Sequence, residues 1–196
     1  MLNYTLPPGL VETRFDDGAV WYRKAGIPIR SVSKILNRVW PMPSIDPWFL
    51  ERGKIVHSAT VLIDDDLLDW EALDERVKPF CDAYKSFIDK VHPIVEASEL
   101  VVVHPSCTFG GRLDRVFRLP GQDRLIVCDI KTGTGVEDRY WCAVAAYALA
   151  LDELNIEHYD FMLLNLDKHG KPHPTFETGP DKWIEKWRQI LQEDSA

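Results

Sequence analysis

The chain is short of cysteine, of long apolar runs and of basic charge, and each shortage closes off a class of protein. Its four cysteines, Cys81, Cys107, Cys128 and Cys142, are widely spread over 196 residues and include no C-x-x-C pair. That spacing speaks against a zinc or iron–sulfur site and for thiols in the core. No apolar run approaches the roughly 20 residues that a membrane helix needs, so no membrane contact is expected. Residues Met1 to Pro7 lack a basic stretch followed by an apolar one. They do not read as a signal peptide, and a cytoplasmic setting is the expectation. The net charge of −8 argues against a broad surface that coats nucleic acid. Any such contact is confined to a groove. Thr132-Gly133-Thr134-Gly135 is glycine-rich but lacks the lysine of a phosphate-binding loop. There is no low-complexity tract, long linker or internal repeat. A single domain over 1–196 is expected, with a hairpin extension at 1–27, a helical part at 28–92, and the sheet core with a C-terminal helix at 93–196.

What is present alternates between helical and strand patterns. Val11–Phe15 and Val20–Arg23 flank Asp16-Asp17-Gly18, which predicts a hairpin. Ser31 is a suitable N-cap for a helix over Val32–Val39, with Leu36 and Val39 inward. Asp46-Pro47 starts a second helix, running through Arg52, Gly53 and His57 to about Leu62. Asp64-Asp65-Asp66 then reads as a solvated loop. Trp70, Leu73, Val77, Phe80, Tyr84, Phe87 and Val91 recur every three or four residues, an amphipathic stripe with a kink or break expected at Pro79. Strands are expected over Glu99–His104, Phe109–Phe117, Leu125–Lys131 and Tyr159–Leu166, with a turn at Gly121-Gln122-Asp123. Helices are expected over Tyr140–Leu151 and around Trp183, Ile184, Trp187, Ile190 and Leu191. The order predicts an α/β (α+β) fold, a central mixed β-sheet flanked by helices.

Two neighbouring strands carry the chemistry. Gly111-Arg112-Leu113-Asp114 ends one, and Cys128-Asp129-Ile130-Lys131 lies on the next. Side chains on a strand alternate, so Asp129 and Lys131 share a face while Ile130 turns to the core. An aspartate in an apolar strand is costly unless paired or metal-bound. Two carboxylates can hold a divalent metal, and a lysine beside them can orient or deprotonate a water, a set suited to phosphodiester hydrolysis. The bland alternatives are an Asp129–Lys131 ion pair and an exposed Asp114 paired with Arg112 or Arg115. His57 by itself reads as a structural helical histidine; as a ligand it would supply a nitrogen beside carboxylate oxygens. Magnesium prefers all-oxygen sites, and manganese accepts nitrogen more readily. His92, His104, His158, His169 and His173 read as surface or structural.

The order of these motifs resembles the PD-(D/E)XK nuclease superfamily, in its RecB-type and phage-exonuclease branch. The matching segments are Arg52-Gly53 with His57, Gly111 with Asp114, Asp129 with Lys131, and the helix from Ala143 to Tyr147. Ile29–Leu36 is similar to the helix start of phage-type members. The resemblance implies a restriction-endonuclease-like core and metal-assisted cleavage of DNA, single- or double-stranded, more as an end-binding exonuclease than an endonuclease. It implies Asp114, Asp129 and Lys131 as catalytic residues. The metal, Mg²⁺ or Mn²⁺, would be held by His57, Asp114, Asp129 and the Ile130 carbonyl. Glu99, Tyr147 and Arg52 are further candidates, and no organic cofactor is implied. A carboxylate next to a cation is expected to have a lowered pKa, so Asp129 is expected to be ionised at neutral pH. The family glutamine falls at Ala143, which cannot hydrogen-bond. That departure favours the alternative, a catalytically silent nucleic-acid-binding or assembly module on the same fold. Some relatives form oligomers, but nothing in this sequence marks an interface.

Overall fold

The computed structural model describes residues 2, 4–14, 20–133 and 135–194. A small antiparallel sheet comes first, built from β1 (Leu10–Arg14), β2 (Val20–Lys24) and β3 (Ile27–Pro28). The expected hairpin is therefore present, and its turn at Asp16-Asp17-Gly18 lies outside the described residues. The main sheet has six strands: β4 (Arg30–Ser31), β5 (Ile94–Val103), β6 (Phe109–Arg118), β7 (Leu125–Lys131), β8 (Tyr159–Leu166) and β9 (Pro172–Glu177). It is mixed. β5–β6, β6–β7 and β8–β9 pair antiparallel, whereas β4–β6 and β7–β8 pair parallel.

Helices cover both faces. α1 (Val32–Val39), α4 (Asp138–Asp152) and α5 (Asp181–Glu193) pack on one, burying Val32, Leu36, Val144, Leu149, Trp183 and Trp187 with the sheet residues Leu113, Val127 and Phe161. α2 (Pro47–Asp64) and α3 (Lys78–Val91) pack on the other, burying Val56, Ile63, Phe80, Tyr84 and Phe87 against Phe117, Ile126, Ile130 and Met162. Among the described residues no helix is long and apolar enough to cross a membrane.

Local chemistry explains the boundaries. Ser31 caps α1 by accepting the Lys34 N–H at 3.2 Å, and Asp46 caps α2 by accepting from Trp48 at 2.9 Å. Four expectations are corrected. Val39 is 41% exposed rather than inward, because α1 ends there. Pro79 makes no kink: it lies in the first turn of α3, where its missing N–H costs nothing. Trp70 and Leu73 still pack on the α3 core but precede the helix. Asp64 is not a solvated loop residue, since it closes α2 with its side chain 6% exposed on a buried arginine. Of the cysteines, Cys81, Cys128 and Cys142 are core thiols as expected, while Cys107 is half-buried in the β5–β6 turn.

Candidate active site

β6 and β7 form a fork. They are paired only between Arg115–Arg118 and Leu125–Cys128. Beyond Arg115 the strands part, and β4 takes the place beside β6 at Phe109 and Gly110. The buried Asp114 carboxylate spans the opening, its Oδ2 accepting the Ile130 N–H at 2.6 Å. That contact replaces the lost ladder bond and fixes Asp114 against the strand that bears Asp129 and Lys131. It also excludes an exposed Asp114 paired with Arg112.

Two glycines let the fork close on its surroundings. A Cβ on Gly111 would lie 2.8 Å from Cε1 of Tyr147, and one on Gly110 would lie 2.7 Å from the Val102 carbonyl oxygen. Tyr147, from α4, thus occupies the space beside Gly111. Burial pushes its hydroxyl pKa up, helped by the nearby Asp129 and Asp114.

The strand alternation breaks at the site. Leu113 and Val116 both enter the α4 core, while Asp114 and Arg115 between them both reach α2. Glu99 on β5 has φ +47°, a backbone region that bulky non-glycine residues avoid. The break brings Glu99 and Asp114 to the same side as His57 of α2. His57 Nδ1 lies 3.4 Å from Glu99 Oε1 and 3.4 Å from Asp114 Oδ1. One donor atom from each of the three falls within 4.8 Å of the others. Neighbouring ligands of an ion bound at about 2.1 Å are themselves roughly 3 Å apart, so this group could hold a divalent cation. Burial lowers the His57 pKa, but Asp114 and Glu99 outweigh it and the net direction is up.

Asp129 stands next to this group rather than inside it. Its Oδ2 is 2.5 Å from Lys131 Nζ, and this close ion pair leaves Oδ2 without a hydrogen bond of proper geometry among the described residues. The expected lowering of its pKa is reversed. Burial raises it, and the neighbouring lysine only partly offsets that. Lys131 is held in its charged form: burial disfavours the charge, but Asp129 and Asp114 more than compensate. The Tyr140 ring lies 5.0 Å from Nζ and limits where the ammonium can swing.

Arg115 carried no signal in the sequence beyond its position after Asp114, and it organises the whole group. Its side chain is fully buried. Nε donates to Asp64 Oδ2 at 2.6 Å, one terminal nitrogen donates to Thr60 Oγ1 at 2.9 Å, and the other to the Asp114 carbonyl at 2.7 Å. The last also lies 3.5 Å from Glu99 Oε1. Helix α2, Glu99 and Asp114 are thereby tied to one guanidinium. Arg52 does a similar service at the far end of β7. It donates to the Thr132 carbonyl at 2.7 Å, one residue past Lys131. Ala143 is half-buried against the α4 core.

Fold and site together define a mixed α/β protein with an acidic, histidine-containing group able to take a divalent cation at a strand fork. No family model matches the chain, and no curated protein is significantly similar to it. Among solved structures, it is similar to LHK-Exo in complex with dAMP, at a TM-score of 0.45 and 14% identity over 84% of each chain.

Proposed function

We propose that this chain is a divalent-metal-dependent nuclease that hydrolyses phosphodiester bonds of DNA, acting as an exonuclease. The observation that supports it best is the convergence of Asp114, Asp129 and Lys131 with His57 and Glu99 at the β6–β7 fork. His57, Glu99 and Asp114 would hold the ion, with Asp129 beside them. The Ile130 carbonyl, at the same fork, is a further candidate ligand. One nitrogen among carboxylate oxygens suits Mn²⁺ at least as well as Mg²⁺. When bound, the ion supplies Lewis-acid activation and neutralises phosphate charge. Lys131, paired with Asp129, would orient the attacking water and stabilise the charge that grows on the phosphoryl oxygens. Asp129 holds that ammonium in place and offers its buried oxygen to the same water or ion. The choice of DNA and of end-directed cutting follows the resemblance of the four motifs.

The second reading, a silent nucleic-acid-binding or assembly module, is favoured by Ala143, whose side chain offers no hydrogen bond on the face of α4. End-labelled linear and circular DNA, single- and double-stranded, incubated with Mg²⁺, Mn²⁺ or EDTA, separate the two. Degradation of linear DNA only, abolished by EDTA and by Lys131→Ala, is the expected outcome. Binding without cleavage under every condition would replace the enzyme by the silent module.

A further inference from the structure

A groove of about 410 Å³ opens directly onto the cation-binding group, lined by Phe49, Leu50, Lys54, His57, Glu99 and Arg112. Its character differs from the acidic group it adjoins. Phe49 and Leu50 are 49% and 54% exposed on the first turns of α2. Phe49 is braced from one side by the Arg52 guanidinium, 5.0 Å from its centroid, which also lies 4.5 Å from the Phe80 ring. Arg52 is itself tied to Thr132, which places its guanidinium beside the ring. Lys54 forms no ion pair among the described residues. Arg112 is half exposed and only 4.0 Å from Glu99, which leaves its guanidinium able to take a second anion.

Gly53 supplies an independent observation. It lies inside α2, where glycine costs about 1 kcal/mol relative to alanine. A Cβ there would meet nothing within 4 Å. No packing within the protein requires this glycine, and it borders the groove. Bare backbone facing open space is what a closely approaching ligand needs.

We propose that the groove is a nucleotide subsite for single-stranded DNA. One base packs against Phe49 and Leu50 over Gly53, and the adjoining phosphate lies between Lys54 and Arg112. The strand then runs on to His57, Glu99 and Asp114. An apolar wall beside two cations matches a ligand with apolar base faces and an anionic backbone. In a chain of net charge −8, those cations beside the site are the local attraction such a strand would meet. The proposal rests on the nuclease reading and deepens it.

The test is fluorescence anisotropy of a short labelled single-stranded oligonucleotide with the full chain in Ca²⁺, beside thermal melts of each variant. Phe49→Ala should weaken binding about tenfold, and Phe49→Trp should restore it. Gly53→Ala should raise the melting temperature while weakening binding, a combination that a purely structural glycine would not give. An abasic site moved along the oligonucleotide should weaken wild-type binding at one position and add nothing there to Phe49→Ala. If wild type binds and cuts DNA while Phe49→Ala and Gly53→Ala bind equally well, the subsite is overturned and the nuclease reading stands. If wild type binds no DNA at all, the nuclease reading fails and takes the subsite with it.

Discussion

Replacing Arg115 with methionine should unfold the site more than any other single change at the fork. Methionine keeps an unbranched side chain but removes the charge and every donor. Asp64 Oδ2, Thr60 Oγ1 and the Asp114 carbonyl lose bonds of 2.6, 2.9 and 2.7 Å, and Glu99 loses a cation at 3.5 Å. Breaking a fully buried ion pair from one side costs about 3–5 kcal/mol. An unfolding entropy of about 2.1 cal/mol/K per residue gives roughly 0.4 kcal/mol/K over 196 residues. A loss of about 4 kcal/mol therefore lowers Tm by about 10 °C. The loss should depend on pH. Burial already raises the Asp64 pKa, and Arg115 opposes that rise. Without the arginine it climbs further. A carboxyl whose folded pKa exceeds its unfolded value contributes stability at low pH that disappears as pH rises through the folded value. Arg115→Met should therefore be less damaging at about pH 5 than at about pH 7.5. Thermal and urea unfolding at both pH values provide the assay, beside Asp64→Asn and the double variant. The double variant should cost less than the two single losses added together. A Tm drop under about 3 °C, or one independent of pH, would refute the role given to Arg115.

Other expectations follow from the same contacts. Lys131→Ala and Asp129→Ala should each remove DNA cleavage while near-UV circular dichroism stays native; cleavage retained in both would remove them from the site. Gly111→Ala forces a methyl group against the Tyr147 ring and should destabilise the fold by about 1–3 kcal/mol. Tyr147→Ala costs stability of its own by emptying a buried site, and the double variant should lose less than the two single losses added together, as urea titration can establish. His57 has a raised pKa among its acids, and a metal takes only the neutral imidazole. Mn²⁺ affinity should therefore climb with pH, by about tenfold per unit for one displaced proton, and level off once pH passes the raised value. Calorimetry in buffers of different protonation enthalpy would count that proton, and a His57→Ala protein should lose the histidine's share of both the climb and the release.

The elements that could be read from sequence are those whose own residues dictate them. β7 and β8 match their expected ends because their side chains are buried nearly throughout and turn residues bound them. α1 and α2 start where Ser31 and Asp46 cap them. β5 begins at Ile94, five residues before its expected start, because Glu96 and Ser98 interrupt the apolar pattern of a strand that borders solvent. β9 carries Pro172 and Pro174, which argue against a strand except at a sheet edge, and that is where it lies. At the site, Asp114, Asp129, Lys131 and His57 stood out as polar residues in set positions. Glu99 was visible only as a candidate, since a positive φ in mid-strand has no sequence mark. Arg115 was hidden because its partners come from α2 and β5, and only the folded chain brings them together.

Asp114→Asn tests most directly whether carboxylates at the fork hold a metal for phosphodiester hydrolysis. Asparagine keeps an oxygen for the Ile130 N–H and so spares the fold, but gives up the charge that a cation needs. The measurement is the rate of nucleotide release from end-labelled linear DNA in saturating Mn²⁺, with Mn²⁺ affinity determined on the same protein. The account predicts a native melting curve, a rate lower by more than about a hundredfold, and weakened Mn²⁺ binding. A folded Asp114→Asn protein that binds Mn²⁺ and degrades DNA like wild type would contradict it.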